Sequence, residues 1–116
     1  MIPPRIQSYH FGNIVIDEKT YNKDVIILPD RVLPNWWRRS GHILHRDDLL
    51  AIFQSTPELL IIGQGASSQM KVPNETQREL ENQGIDWISL PTEQACQRYN
   101  ELRDEQKVAA ALHLTC

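Results

Sequence analysis

The sequence predicts a three-layer α/β (α+β) domain, one domain over residues 1–116, built on a mixed central sheet. Three observations carry that prediction. Leu59-Leu60-Ile61-Ile62 is an apolar run with no polar interruption, as a strand covered on both faces requires. The second half of the chain alternates strand-like and helix-like segments, which implies βαβ crossovers and parallel pairing. The opening of the chain instead holds short β-rich runs with no helix between them, which pair antiparallel. The expected element order is β-β-β-α-β-α-β-α-β.

Ile6–Tyr9 and Asn13–Ile16 read as the first two strands, with Phe11-Gly12 as the turn between them. Asp17-Glu18-Lys19 is a polar break, and Val25–Leu28 is a third strand that stops at Pro29, a residue with no N–H for a central ladder. Residues 29–46 read as a long irregular connection packed by Trp36 and Trp37, with a short strand at His42–Leu44. Asp47 and Asp48 favour a helix amino terminus; Leu49, Leu50, Ile52 and Phe53 give that helix an apolar face, and Thr56-Pro57 ends it. The central strand then breaks at Gly63-Gln64-Gly65. Beyond it Asn74 is the expected cap of a polar helix ending at Gly84, with Leu80 its one large apolar residue. Ile85–Leu90 reads as a strand. Thr92 is the expected cap of a helix over 92–104 whose Ala95, Cys96, Tyr99 and Leu102 share one face. Val108–Leu114 closes the order as a strand in which Ala109, Ala110 and Ala111 permit close approach of a helix.

An apolar content of 41% and a charged content of 23% are those of an ordinary globular chain. The net charge of −3 argues against general nucleic-acid affinity, because neutralising phosphates needs a basic surface. Charge is nonetheless uneven: Arg31, Arg38, Arg39 and Arg46 stand in a stretch with no carboxylate, whereas residues 74–105 are rich in Glu and Asp. Cys96 and Cys116 match neither a metal spacing nor a disulfide framework. With no secretory pattern at the amino terminus and no apolar run of membrane-spanning length, the expected compartment is the cytoplasm.

The runs VIILPD, WW, GH, PELLIIGQG and GIDWISLPTEQACQRYNELRDEQKVAAAL resemble a small domain family of unknown function. Its members include a mitochondrial assembly factor of respiratory complex I and an adipogenesis-associated protein. The resemblance runs from about Ile6 to Leu114 and is most specific over Leu59–Gly65 and Thr92–Leu112. It implies a β+α/β/α arrangement around a mixed sheet, and a role in assembling or maturing other proteins, with peripheral membrane association by analogy. Where the family shows leucine-proline before the helix that follows the glycine loop, this chain has Val72-Pro73. The resemblance implies no catalytic mechanism.

Two sites compete. The first is an interaction patch of Trp36, Trp37, Arg38, Arg39 and His42, since Trp and Arg dominate interface hot spots. It makes the chain a non-enzymatic module with a protein partner. The second is a ligand loop of Gly63, Gln64, Gly65, Ser67 and Ser68 joined by Thr92 at the next helix start, where backbone N–H groups would suit an anion or small molecule; it makes the chain a small-molecule binder or an enzyme instead. That loop lacks the Lys-Ser/Thr ending of a P-loop and the third glycine of a dinucleotide fingerprint, so no cofactor is expected. His42 and His45 lack the further ligands of a zinc site, Cys96 has no neighbouring base, and Ser67 has no nucleophile-elbow context, so neither a metal nor a catalytic residue is expected. Asn100 must find polar partners where it packs.

Overall fold

The computed structural model describes residues 2–116. Its core is a five-stranded mixed sheet in the order β5-β4-β8-β6-β7. The strands are β4 (Val25–Leu28), β5 (Arg31–Leu33), β6 (Leu59–Gly63), β7 (Asp86–Leu90) and β8 (Val108–Leu112). A second, three-stranded antiparallel sheet is formed by β1 (Ile6–His10), β2 (Asn13–Ile16) and β3 (Lys19–Tyr21). The helices are α1 (Leu50–Ser55), entered through a 3-10 turn at Arg46–Leu49, α2 (Asn74–Asn82) and α3 (Thr92–Leu102). β6 pairs parallel with both β7 and β8, and β4 pairs antiparallel with β8 and β5.

Strand parity makes the layers. Successive side chains of a strand point to opposite faces. Val25 and Ile27, Leu59 and Ile61, and Val108, Ala110 and Leu112 therefore face one way. There they meet Ala95, Cys96 and Tyr99 of α3 and Ile6, Ile14 and Ile16 of the small sheet. Ile26 and Leu28, Leu60 and Ile62, and Ala109 and Ala111 face the other way, against Ile52 of α1, Leu80 of α2, and Leu44, Leu49 and Met70 of the connections. Every residue of β4, β6 and β8 is buried, which is why these three strands read as continuous apolar runs. The alanines of β8 lie at the centre of the sheet, with α3 on one face and the layer of α1, α2 and the connections on the other.

Several expectations are refined. Lys19–Tyr21 and Arg31–Leu33 are strands, each only three residues long, where the sequence reads as a polar break and an irregular connection. The segment at His42–Leu44 forms a single bridge, Ile43 to Lys71, rather than a strand. Val25–Leu28 belongs to the large sheet and not to the opening meander. The two expected caps are different too. Pro73 and Pro91 occupy the N-cap positions of α2 and α3, and neither Asn74 nor Thr92 caps its helix. Proline suits a helix start because the N–H it lacks has no intrahelical acceptor there. Asn100 finds its partners on β1: its amide accepts from the Ile6 N–H at 3.0 Å and donates to the Ile6 carbonyl at 2.7 Å.

Two glycines separate backbone need from crowding. Gly65 has φ +102°, and a Cβ there would lie 2.5 Å from the main chain of Cys116 and 2.8 Å from His113 Cδ2. Gly84, after α2, has φ +72° with open space around it. Alanine at Gly84 is expected to cost about 1 kcal/mol through its backbone alone. Alanine at Gly65 should cost clearly more, because the same penalty is joined by contacts that require main chain to move. Urea denaturation of the two variants checks the order; equal losses would mean that the Gly65 contacts yield freely.

Candidate functional site: a buried ion cluster beneath an exposed tryptophan

The glycine loop is tied into the fold by its own amides. Gln64 N–H donates to the Leu90 carbonyl at 2.9 Å, Ala66 N–H to Thr115 at 2.6 Å, Ser68 N–H to Gly65 at 3.2 Å and Gln69 N–H to the Cys116 main-chain oxygen at 3.1 Å. Gly65 N–H donates to Thr92 Oγ1 at 2.8 Å, and that hydroxyl donates onward to the His113 carbonyl at 2.6 Å. Thr92 is fully buried, so its hydroxyl is a strut between the β6 exit and the β8 exit rather than a group facing a ligand. Gly63 is also crowded: a Cβ would lie 2.9 Å from Leu112 Cδ2 and 3.0 Å from Thr92 Oγ1. Ser67 is exposed, and Ser68 adopts a left-handed φ of 56°. With the amides of 64, 65, 66, 68 and 69 already donating, the loop presents no array of free donors of the kind an anion nest uses.

The arginine-rich connection is built around a different set of residues. Asn35, at φ 56°, turns the chain after Pro34. Alternation then sends Trp36 and Arg38 inward and Trp37 and Arg39 outward. Trp36 N–H donates to the Asp24 carbonyl at 2.8 Å and its Nε1–H to the Asp48 carbonyl at 2.9 Å. The Arg38 guanidinium lies over the Trp36 ring, 5.0 Å from its centroid. Arg38 Nη1 donates to Asp24 Oδ2 at 2.6 Å, and Nη2 donates to the Gly41 carbonyl at 2.9 Å. The Asp24 carboxylate takes two further donors: His113 Nδ1 lies 2.8 Å from Oδ2, and Leu114 N–H donates to Oδ1 at 2.8 Å. The carboxylate fixes the His113 proton on Nδ1. Arg38 Nη2, 3.1 Å from that same nitrogen, therefore lies alongside it as a fellow donor.

This cluster is buried, with side-chain exposures of 6% for Arg38, 16% for Asp24 and 8% for His113. Burial alone would push the Asp24 carboxyl up. The hydrogen bonds it accepts from His113, from the Leu114 N–H and from Arg38 bring it below the ordinary carboxylate value instead. An Asp–His pair is the shape of a general base, but His113 Nε2, the atom that would take a proton, is shut off from solvent and has no partner among the described residues. The cluster is thus built to hold chain segments together. Arg38 belongs to it and is no part of an exposed patch. Cys96 is equally unavailable: burial, with Glu93 adding to it, pushes its thiol up to about 12, leaving it protonated at neutral pH.

What reaches solvent is Trp37, 78% exposed, with Arg39 and His42 exposed nearby in the chain. Trp36 and Trp37 together line two open clefts. One, of about 410 Å³, also takes in Leu33, Arg39 and Leu50. The other, of about 490 Å³, takes in Asp24, Leu114 and Thr115. His42 sits edge-on to His113 at 6.5 Å between ring centroids and 4.0 Å from Cys116 Sγ, whereas His45 Nε2 lies 3.1 Å from Ser40 Oγ. The two histidines thus face different neighbours. The ion cluster was missed by sequence reasoning, although the inward–outward alternation of residues 36–39 was a signal for it.

The family model described as "Protein of unknown function (DUF498/DUF598)" matches residues 6–113, and the chain belongs to that family. Among solved structures, a conserved hypothetical protein from Pyrococcus horikoshii is similar, with 24% identity, a TM-score of 0.83, and coverage of 97% of this chain and 99% of that one. An outer membrane protein from Bartonella henselae is similar at 21% identity and TM-score 0.84 over 100% of both chains. A Mth938-like domain from Bordetella pertussis is similar at 19% identity and TM-score 0.71, covering 96% of this chain and 85% of that one. At these identities the likeness is one of fold. Among the described residues no helix is long and apolar enough to cross a membrane.

Two outcomes follow for the cluster and its strut. The Asp24 carboxyl sits below its unfolded value near 3.9, so its contribution is complete above that value and is lost as pH falls through the lower folded value. Asp24→Asn should flatten the acid limb of the stability–pH curve. It should also cost about 3–5 kcal/mol near neutrality, the range for breaking a buried pair. Urea midpoints from about pH 6 down to pH 2 read both effects; an unchanged acid limb would show that Asp24 is not the titrating group. Thr92→Val keeps the shape but removes both hydroxyl bonds, and should cost about 2 kcal/mol by the same measurement, while Thr92→Ser costs less.

Proposed function

We propose that this family member is a non-enzymatic protein-interaction module that docks a partner on Trp37. The observation that carries the reading is a tryptophan left 78% exposed on a segment whose neighbours are fixed by a buried ion cluster. A large apolar ring normally leaves water. Here it is held out between two clefts, with Leu50, 59% exposed, and Arg39 beside one of them. Trp and Arg are the residue types that dominate hot spots, and a preformed anchor keeps down the entropy lost on binding. The sequence resemblance to a family with a complex I assembly factor supports an assembly-type role, and the cysteine pattern supports the cytoplasm as its place of work. An anion or small-molecule role for the Gly63–Ser68 loop has weaker support, because a ligand there would have to displace bonds the loop already makes.

Trp37→Ala and Arg39→Glu test this without touching the core, and each is expected to leave stability within about 0.5 kcal/mol. A partner retained by the wild-type chain should be lost by both variants. Measured with that purified partner, Trp37→Ala should weaken binding at least about tenfold, as a hot spot does. Unchanged partner lists and affinities for both variants would remove this face from the account.

A further inference from the structure

The large sheet ends on one side at β7, whose outer edge pairs with no other strand among the described residues. Asp86 N–H bonds the Glu58 carbonyl and Gln64 N–H bonds the Leu90 carbonyl, so Asp86 and Leu90 direct their main-chain groups to β6. By strand alternation Ile88 does the same, and Trp87 and Ser89 direct their N–H and C=O groups away from the sheet. Among the described residues no turn, loop or side chain bonds those groups. The other edges are treated differently. β5 and β3 are three residues long and carry Arg31 and Lys19, and β1 is closed at Ile6 by the Asn100 amide. These are the devices that blunt an edge. β7 is longer, with five residues; its one charge, Asp86, stands at its start, and beyond it come half-buried Trp87, Ile88 and Leu90 with no lysine, proline or bulge.

We propose that β7 pairs antiparallel with β7 of a second copy of this chain about a twofold axis at Ile88. The register is self-complementary, which suits a second copy of the chain. The two outward residues are separated by one inward residue. A twofold at Ile88 therefore sets Trp87 opposite Ser89 of the second copy and Ser89 opposite its Trp87, each pair exchanging both main-chain bonds. Every outward donor and acceptor of both strands is satisfied. Ile88 meets Ile88 of the second copy as a close, non-hydrogen-bonded apolar pair. Asp86 falls opposite Leu90 of the second copy, so the acidic residue does not face its own copy. The Trp37 cleft lined by Ile26 of β4 and Leu33 of β5 lies beside the opposite edge of the sheet, and the other is lined by residues just before β4 and just after β8, so both stay uncovered. A contact of one strand is small, so the pairing should depend on concentration.

Sedimentation velocity from micromolar to millimolar protein should show the mass rising from one chain to two. Ser89→Pro removes an outward N–H while leaving the β6 ladder intact, and should stay at one chain throughout with little change in melting temperature. Should that variant fold poorly, cross-linking in a Cys116→Ser background decides. Ile88→Cys places two thiols at the distance of a close antiparallel pair, about 4.5 Å between Cα atoms, within disulfide reach. Under mild oxidant it should form a covalent dimer, and Asp86→Cys should not. A wild-type chain that stays single at millimolar concentration, a dimer indifferent to Ser89→Pro, or equal cross-linking of the two cysteine variants would overturn the proposal.

Discussion

The carboxylate of Asp24, just ahead of β4, receives a guanidinium N–H from Arg38, an imidazole N–H from His113 and the main-chain N–H of Leu114. Charges placed in such a site lose hydration, and the loss is offset only where geometry is tight and lone pairs are used. Both oxygens here are used. Arg38 also bonds the Gly41 carbonyl and lies over the Trp36 ring, and the chain just beyond β8 is the source of two of the donors. One carboxylate thereby joins the start of β4, the end of β8 and the long connection between β5 and α1. The sheet would form without it. The connection is tied to both strands through it.

That tie connects the fold to the reading of function. With residues 36 and 38 turned inward, residues 37 and 39 must face out, and the Trp37 ring stands between two clefts instead of collapsing into either. Asp48 reinforces the arrangement: its carboxylate accepts from the Arg39 N–H at 3.2 Å and the His45 N–H at 2.9 Å, and its carbonyl accepts from Trp36. Thr76 adds a link from α2, donating to the Leu44 carbonyl at 2.7 Å. The glycine loop belongs to the same junction, since His113 packs over Gly65 and shares Thr92 with it. The feature that looks most like a ligand loop in the sequence is thus a brace for the end of β8.

Much of the fold was legible because its strongest signals are local. Leu59–Ile62 is apolar at every position because both its faces are covered, and the Ala95, Cys96, Tyr99 spacing of α3 marks the face set against β6 and β8. Lys19–Tyr21 and Arg31–Leu33 were not legible: three residues are too few for alternation to show, and one is charged in each. The candidate site was legible only in part. Trp37 and Arg39 lie on the surface as their types suggested, but Asp24, Arg38 and His113 meet across separations of 14, 75 and 89 residues. No spacing rule spans such distances. The run of arginines looked like one basic patch because a buried arginine and an exposed one are the same letter until a partner carboxylate is placed.

The central claim is that the Asp24 carboxylate sets the course of residues 34–45, and amide hydrogen exchange in Asp24→Asn tests it most directly. Two amides report on the segment: Trp36 N–H, bonded to the Asp24 carbonyl, and Leu44 N–H, bonded to Lys71. Ile61, in the centre of the sheet, reports on global opening. Exchange at Trp36 and Leu44 should accelerate by more than exchange at Ile61. Acceleration shared equally by all three, or protection at Trp36 and Leu44 that survives the substitution, would contradict it.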